Sequence, residues 1–261
     1  MKKVVLAVAA VAVLSGSALA ADLPARTYSK APTVIEPTAS WTGFYLFGGA
    51  GGGLWDSDIN AVTNPGGVAR TAIQQMGGRG WFGTVGAGYD WQFNGSWVVG
   101  TFADGQFGTL HGSINDNFVG LTGSEKLRDT WAVGARLGYL VAPNVYSYVN
   151  AGYTQSNWSG SQLGPTVGGA AIATTASFNR QGWFVGGGVE NNLNIFGISA
   201  PGWFMKTEYR AAYFDRVTLP ETFIGTTVPT GISDTFKPWV ETVSTSLVYR
   251  FNWTGPVVAK Y

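Results

Sequence analysis

From residue 41 onward, apolar and polar positions alternate with a period of two in eight segments, near 41–55, 79–93, 97–109, 127–141, 145–157, 180–193, 202–216 and 239–252. In the fourth segment Trp131, Val133, Ala135, Leu137 and Tyr139 share one face, while Arg128, Thr130, Gly134, Arg136 and Gly138 take the other. The seventh sets Trp203, Met205, Tyr209, Ala211 and Tyr213 against Lys206, Glu208 and Arg210. The eighth sets Val243, Thr245, Leu247, Tyr249 and Phe251 against Thr242, Ser244, Ser246 and Arg250. A period of two predicts strands with one apolar and one polar face. The first and fifth segments alternate poorly, so their faces stay unassigned.

The links sort by length. Asn94-Gly95-Ser96 and Ala142-Pro143-Asn144 are short, and Asn-Gly favours the positive φ of a tight hairpin. The link ending Ala200-Pro201-Gly202 is intermediate, and those near 56–78, 110–126, 158–179 and 217–238 are long. Long links come first and last and alternate with short ones, as in an up-and-down barrel with both termini on its short-turn side. A Greek-key sandwich has no reason to sort its links this way. The expected fold is an all-β, eight-stranded antiparallel up-and-down transmembrane β-barrel, with ten strands as the alternative if 158–179 pairs with itself.

Aromatic residues fall at two heights. Trp55, Trp81, Phe107, Trp131, Trp158, Trp183, Tyr213 and Trp239 sit where strands meet long links. Trp41, Trp91, Trp97, Tyr139, Tyr146, Trp203 and Trp253 sit near short turns or termini. Trp81 to Trp91 spans about 34 Å of strand, or roughly 26 Å when tilted by about 40°, close to the apolar band of an outer-membrane barrel. Two outward belts are expected.

The first residues set the compartment. Lys2 and Lys3 precede an apolar run from Val4 to Leu14, and Ala18-Leu19-Ala20 supplies the small residues of a cleavage site, placed after Ala20. The run is too short to cross a bilayer as a helix. The expected organisation is a signal peptide at 1–20, a proline-containing periplasmic tether at 21–40, a barrel at 41–253 and a tail at 254–261. Removal of Lys2 and Lys3 leaves 14 basic against 15 acidic residues, which argues against nucleic acid as a partner. The chain lacks cysteine, so no disulfide framework holds it. Charged residues make up only 12% and aromatics 14%, a composition that suits a membrane barrel and, taken alone, also admits a soluble β-sandwich.

The stretch ADLPARTYSKAP, followed by WTGFYLFGGAGGG, resembles the start of small alphaproteobacterial outer-membrane barrels called outer-membrane immunogenic or porin-family proteins. The resemblance spans the mature chain. It implies an eight-stranded OmpA-type barrel, surface-exposed and without a cofactor. It also implies a last strand ending on an aromatic read by the barrel-assembly machinery. Phe251 matches that position, and Asn252 to Tyr261 extends beyond it.

Candidate chemistry is sparse. The glycines at 48, 49, 51, 52 and 53 do not follow the GxGxxG spacing of a dinucleotide loop, and no helix pattern follows them. Glycine there lets strands bend inside a tight barrel. His111 is the single histidine, with no cysteine or second histidine to complete a metal site or a nucleophile–base pair. No catalytic, cofactor or metal site is therefore expected. The polar-face charges Asp104, Arg136, Glu190, Lys206, Glu208, Arg210 and Arg250 form the site of interest. Counting along the hairpins puts Glu190 opposite Lys206 and Asp104 diagonal to Arg136. An eight-stranded interior is just wide enough for side chains, so these charges are expected to pair and fill the lumen. The expected function is a structural and surface-interaction protein of the outer membrane, the alternative a narrow porin-like channel for small solutes. A lipid-acting barrel enzyme lacks a visible nucleophile–base pair. Expected partners are outer-membrane lipid and the assembly machinery, and the sequence does not name what the loops bind.

Overall fold

The computed structural model describes residues 40–251 apart from 117, 119, 196 and 197. The expected signal peptide, tether to residue 39 and C-terminal tail lie outside the described residues, as does Trp253.

The described chain is strand and turn. Eleven strands follow in order: β1 (Gly43–Thr63), β2 (Gln74–Phe93), β3 (Trp97–Asp116), β4 (Leu121–Ala142), β5 (Val145–Trp158), β6 (Gln162–Pro165), β7 (Ala173–Thr175), β8 (Phe178–Ile195), β9 (Ile198–Phe214), β10 (Val217–Phe223) and β11 (Pro229–Arg250). Every pairing is antiparallel, and β1 pairs with β11 to close a ring of eight, β1-β2-β3-β4-β5-β8-β9-β11. Closure satisfies every strand edge internally, which is what lets a sheet cross lipid.

The strands run far past the segments expected from the sequence. Much of 56–78, 110–126 and 217–238 is not loop but strand continuing the same hairpins. At the long-hairpin end β6, β7 and β10 take over from β5, β8 and β9, because β4 pairs with β6, β6 with β7, β7 with β10 and β10 with β11. The 158–179 segment thus pairs with itself, yet the ring stays eight-stranded at both levels. β11 alone has 22 residues, about 75 Å of strand, or about 55 Å of height at a tilt near 40°, roughly twice the ~25 Å apolar band. About half of that height exceeds the apolar band.

The opposite end is tight. Asn94 and Gly95 take φ of 48° and 75°, as the β2–β3 hairpin requires. The β4–β5 turn is Pro143-Asn144, and with β8 ending at Ile195 and β9 beginning at Ile198, most of the link expected to be intermediate is strand.

Trp81, Trp131, Trp183 and Tyr213 point outward at one height, and Trp91, Trp97, Tyr139 and Trp203 at the other, with Trp81 80% exposed. Val85, Val133, Leu137, Val149, Val243 and Leu247 fill the band between. Four aromatics assigned to these belts from sequence point inward instead: Trp41, Trp55, Tyr146 and Trp158 are at most 1% exposed. They fall on the lumen side of the alternation, at its two ends, where rings close the tube. This also explains the poor alternation of β1 and β5, since their inner faces carry Tyr45, Phe47, Tyr146 and Tyr148 beside small and polar residues.

Candidate functional site

The lumen is built in layers. At the short-turn end Trp41 packs on Tyr146 and Phe204, with ring centroids 5.4 and 5.0 Å apart. Above this floor four charges meet. Arg136 on β4 donates from Nε to Asp90 on β2 at 2.9 Å and from Nη1 to Glu190 on β8 at 3.3 Å. Arg250 on β11 donates from Nε to Glu190 at 2.7 Å, and its Nη2 lies 2.8 Å from Asp90. These four residues come from every second strand of the ring with alternating sign, so the ion pairs close a loop around the lumen. Arg136 and Arg250 also lie over the Tyr45 ring, at 4.2 and 5.0 Å, and Arg250 over Trp41 at 4.4 Å.

The next layer uses the intervening strands. Arg210 on β9 donates to both oxygens of Asp104 on β3 and, at 2.8 Å, to Glu208. Glu208 also accepts from Tyr148 at 2.8 Å and Asn150 at 3.0 Å, both on β5. Lys206 sits 3.7 Å from Glu208 and 3.4 Å above the Phe47 ring on β1. Phe102 and Phe184 flank Arg210. Four acids therefore match four bases in the two layers.

Higher still, the cavity lined by Phe82, Gln106, Leu110, Thr130, Val240 and Thr242 offers about 10 Å³, at the lower limit for one water. Trp55, Trp158 and Phe236 then meet edge to face at 5.1 to 5.7 Å across the tube. The Trp55 indole N–H donates to the Leu110 carbonyl at 3.1 Å.

All seven charges singled out in the sequence are buried on this inner face. Their partners differ from those counted along hairpins. Glu190 is in register with Lys206, but it binds Arg136 and Arg250, while Lys206 turns to Glu208. Asp104 stands opposite Ala132, four residues from Arg136, and its partner is Arg210 from the far wall. Guanidinium groups reach across a narrow tube, so the nearest strand does not set the pairing. Asp90 escaped the sequence reading. Its signal was a lone acid between Tyr89 and Trp91, whose outward rings force residue 90 inward. His111 lies exposed on the outer face of β3, not in a loop.

Residues 6–251 match the outer membrane protein beta-barrel domain family. The chain belongs to this family. It is an outer-membrane protein. Among its relatives are the 31 kDa outer-membrane immunogenic proteins of Brucella melitensis biotype 1 and Brucella suis biovar 1. Each is 30% identical over 214 residues, covering 80% of this chain and 85% of the relative. Among solved structures the chain is similar to the outer membrane protein OprG of Pseudomonas aeruginosa. That match has 10% identity over 80% of this chain and 97% of the other, with a TM-score of 0.48.

Proposed function

We propose that this barrel is a structural and surface-interaction protein of the outer membrane, with a lumen closed by its own side chains and no catalytic role. The observation that carries the reading is the closed loop of Asp90, Arg136, Glu190 and Arg250 set on the Trp41 floor. A solute crossing it would have to separate buried ion pairs whose partners no bulk water would replace. The Trp55–Trp158–Phe236 cluster is a second barrier. The outer belts are the surface for membrane lipid, and Phe251, after the last strand, is the residue for the assembly machinery to read.

Surface interaction is the role of the long-hairpin end, which we assign to the cell exterior. It continues the barrel's strands, and its tips expose apolar side chains, among them Val68, Ile73, Phe118, Val167, Ile172 and Val228. Exposed apolar groups gathered on protruding tips suit contact with other surfaces. Liposome swelling tests closure against the porin-like alternative. Vesicles carrying the folded protein should swell no faster in small sugars than empty vesicles, and sugar-dependent swelling would overturn the reading.

A further inference from the structure

Among the described residues, eight buried side chains are acidic and four are basic. The four bases, Arg136, Lys206, Arg210 and Arg250, are committed to Asp90, Asp104, Glu190 and Glu208 in the two lower layers. The other four acids, Asp116, Glu125, Glu221 and Asp234, lie toward the long-hairpin end. Glu125 accepts from the Ser161 hydroxyl at 2.7 Å and the Lys126 N–H at 3.1 Å. The remaining three converge.

Asp116 ends β3, Glu221 is on β10 and Asp234 on β11, all on the inner face and at most 3% exposed. Each offers a carboxylate oxygen within 4.8 Å of the others. Each also keeps one buried oxygen without a hydrogen-bond partner: Oδ2 of Asp116, Oε1 of Glu221 and Oδ1 of Asp234. Glu221 and Asp234 also lie within hydrogen-bonding reach of each other, and their remaining contacts come from the wall. The Phe118 N–H donates to Asp116 Oδ1 at 2.7 Å, and the Thr230 hydroxyl to Glu221 Oε2 at 3.4 Å. Buried acceptors without donors are costly unless a cation or a proton meets them.

We propose that Asp116, Glu221 and Asp234 form a calcium site inside the long-hairpin end of the barrel. An all-carboxylate donor set suits a hard cation and gives soft metals no nitrogen or sulfur. Three carboxylates binding through one or both oxygens supply three to six of the six to eight oxygens that calcium takes, with water completing the shell, whereas magnesium keeps most of its water. β3 and β10 stand on opposite sides of the upper ring, so the ion would tie the β3–β4 hairpin to the β10–β11 hairpin across the tube.

The test is calorimetric titration of calcium chloride into the chelator-treated, detergent-folded full chain at about pH 8, with magnesium chloride as comparison. One calcium per chain should bind in the ~10⁻⁴ to 10⁻³ M range of extracellular calcium modules, and magnesium more weakly. Asp116→Asn, Glu221→Gln and Asp234→Asn should each weaken binding by about tenfold or more, and Glu125→Gln should leave it unchanged. Folding of each variant is checked by its heat-dependent mobility. Should a variant not fold, the wild-type rise in thermal midpoint with calcium, exceeding that with magnesium, carries the same test. A wild type showing no saturable binding to about 10 mM calcium, or folded variants that all bind undiminished, would overturn the site. A carboxyl pair that merely shares a proton gives the first of these results.

Discussion

Asp104 on β3 and Arg210 on β9 face each other from opposite walls of the eight-stranded ring, and both carboxylate oxygens accept from the guanidinium, at 2.9 and 3.0 Å. The pair is bidentate and spans the tube between strands four places apart in the ring. Removing one partner strands the other in the lumen, a loss of about 3–5 kcal/mol for a buried pair, reduced by any water that enters. Asp104→Ala and Arg210→Ala should each destabilise the folded barrel, Arg210→Ala more, because Glu208 loses a donor too. The double variant should cost less than the two single costs combined, by about 1 kcal/mol or more. Denaturant titration in detergent measures this cycle, and strict additivity would show that the two side chains do not depend on each other.

The inner glycines make room for rings. A Cβ on Gly88 would sit 2.3 Å from the Tyr45 hydroxyl oxygen and 2.5 Å from the Thr101 carbonyl. Gly88→Val should therefore displace Tyr45 from beneath Arg136 and cost about 1–3 kcal/mol, the usual range for overpacking. The same titration reads the effect. An unchanged midpoint would mean that the lumen at this height has free space.

Ring size and the antiparallel strand order were legible because alternation and link length both follow from the barrel's geometry. The strand ends were not. Turn residues and polar composition mask the pattern there, yet the alternation continues: Asp234 lies an even number of residues from Arg250, and Asp116 from Asp104, so all four share the inner face. Counting onward through the supposed loops would have placed both acids in the tube. The inward turn of Trp55 and Trp158 was hidden for another reason. Composition cannot tell a ring that meets lipid from one that plugs a lumen, because both environments are apolar and only parity separates them. Pairing across the tube depends on side-chain reach, which hairpin register does not encode.

Three acids at the long-hairpin end set a pH trend in metal-free buffer. Glu125 is raised to about 7, chiefly by burial, Glu221 to about 6 and Asp234 to about 8, against ordinary values near 4. Between about pH 4 and 8 the folded barrel therefore holds protons that the unfolded chain has released. Their contribution is favourable at the acid end and is lost as pH rises toward 8. Glu125→Gln and Asp234→Asn should each flatten part of this decline. Melting curves across the range check it, and a wild-type stability that rises over the same interval through these groups would contradict the assignment.

Orientation follows from hairpin length. Gly67 and Gly168 sit in exposed turns at the ends of the β1–β2 and β6–β7 hairpins. Cysteines placed at either position should react with an impermeant maleimide on intact cells. Gly95→Cys, in the β2–β3 turn, should react only after the outer membrane is broken. The reverse pattern would invert the barrel.

Single-channel recording across a planar bilayer tests the closed lumen most directly. If the Asp90–Arg136–Glu190–Arg250 loop and the Trp55–Trp158–Phe236 cluster close the tube as proposed, purified wild-type protein, inserted and held at voltages of either sign, should give no stable open level. Reproducible, long-lived conductance steps from contaminant-free protein would contradict that account and favour a solute channel.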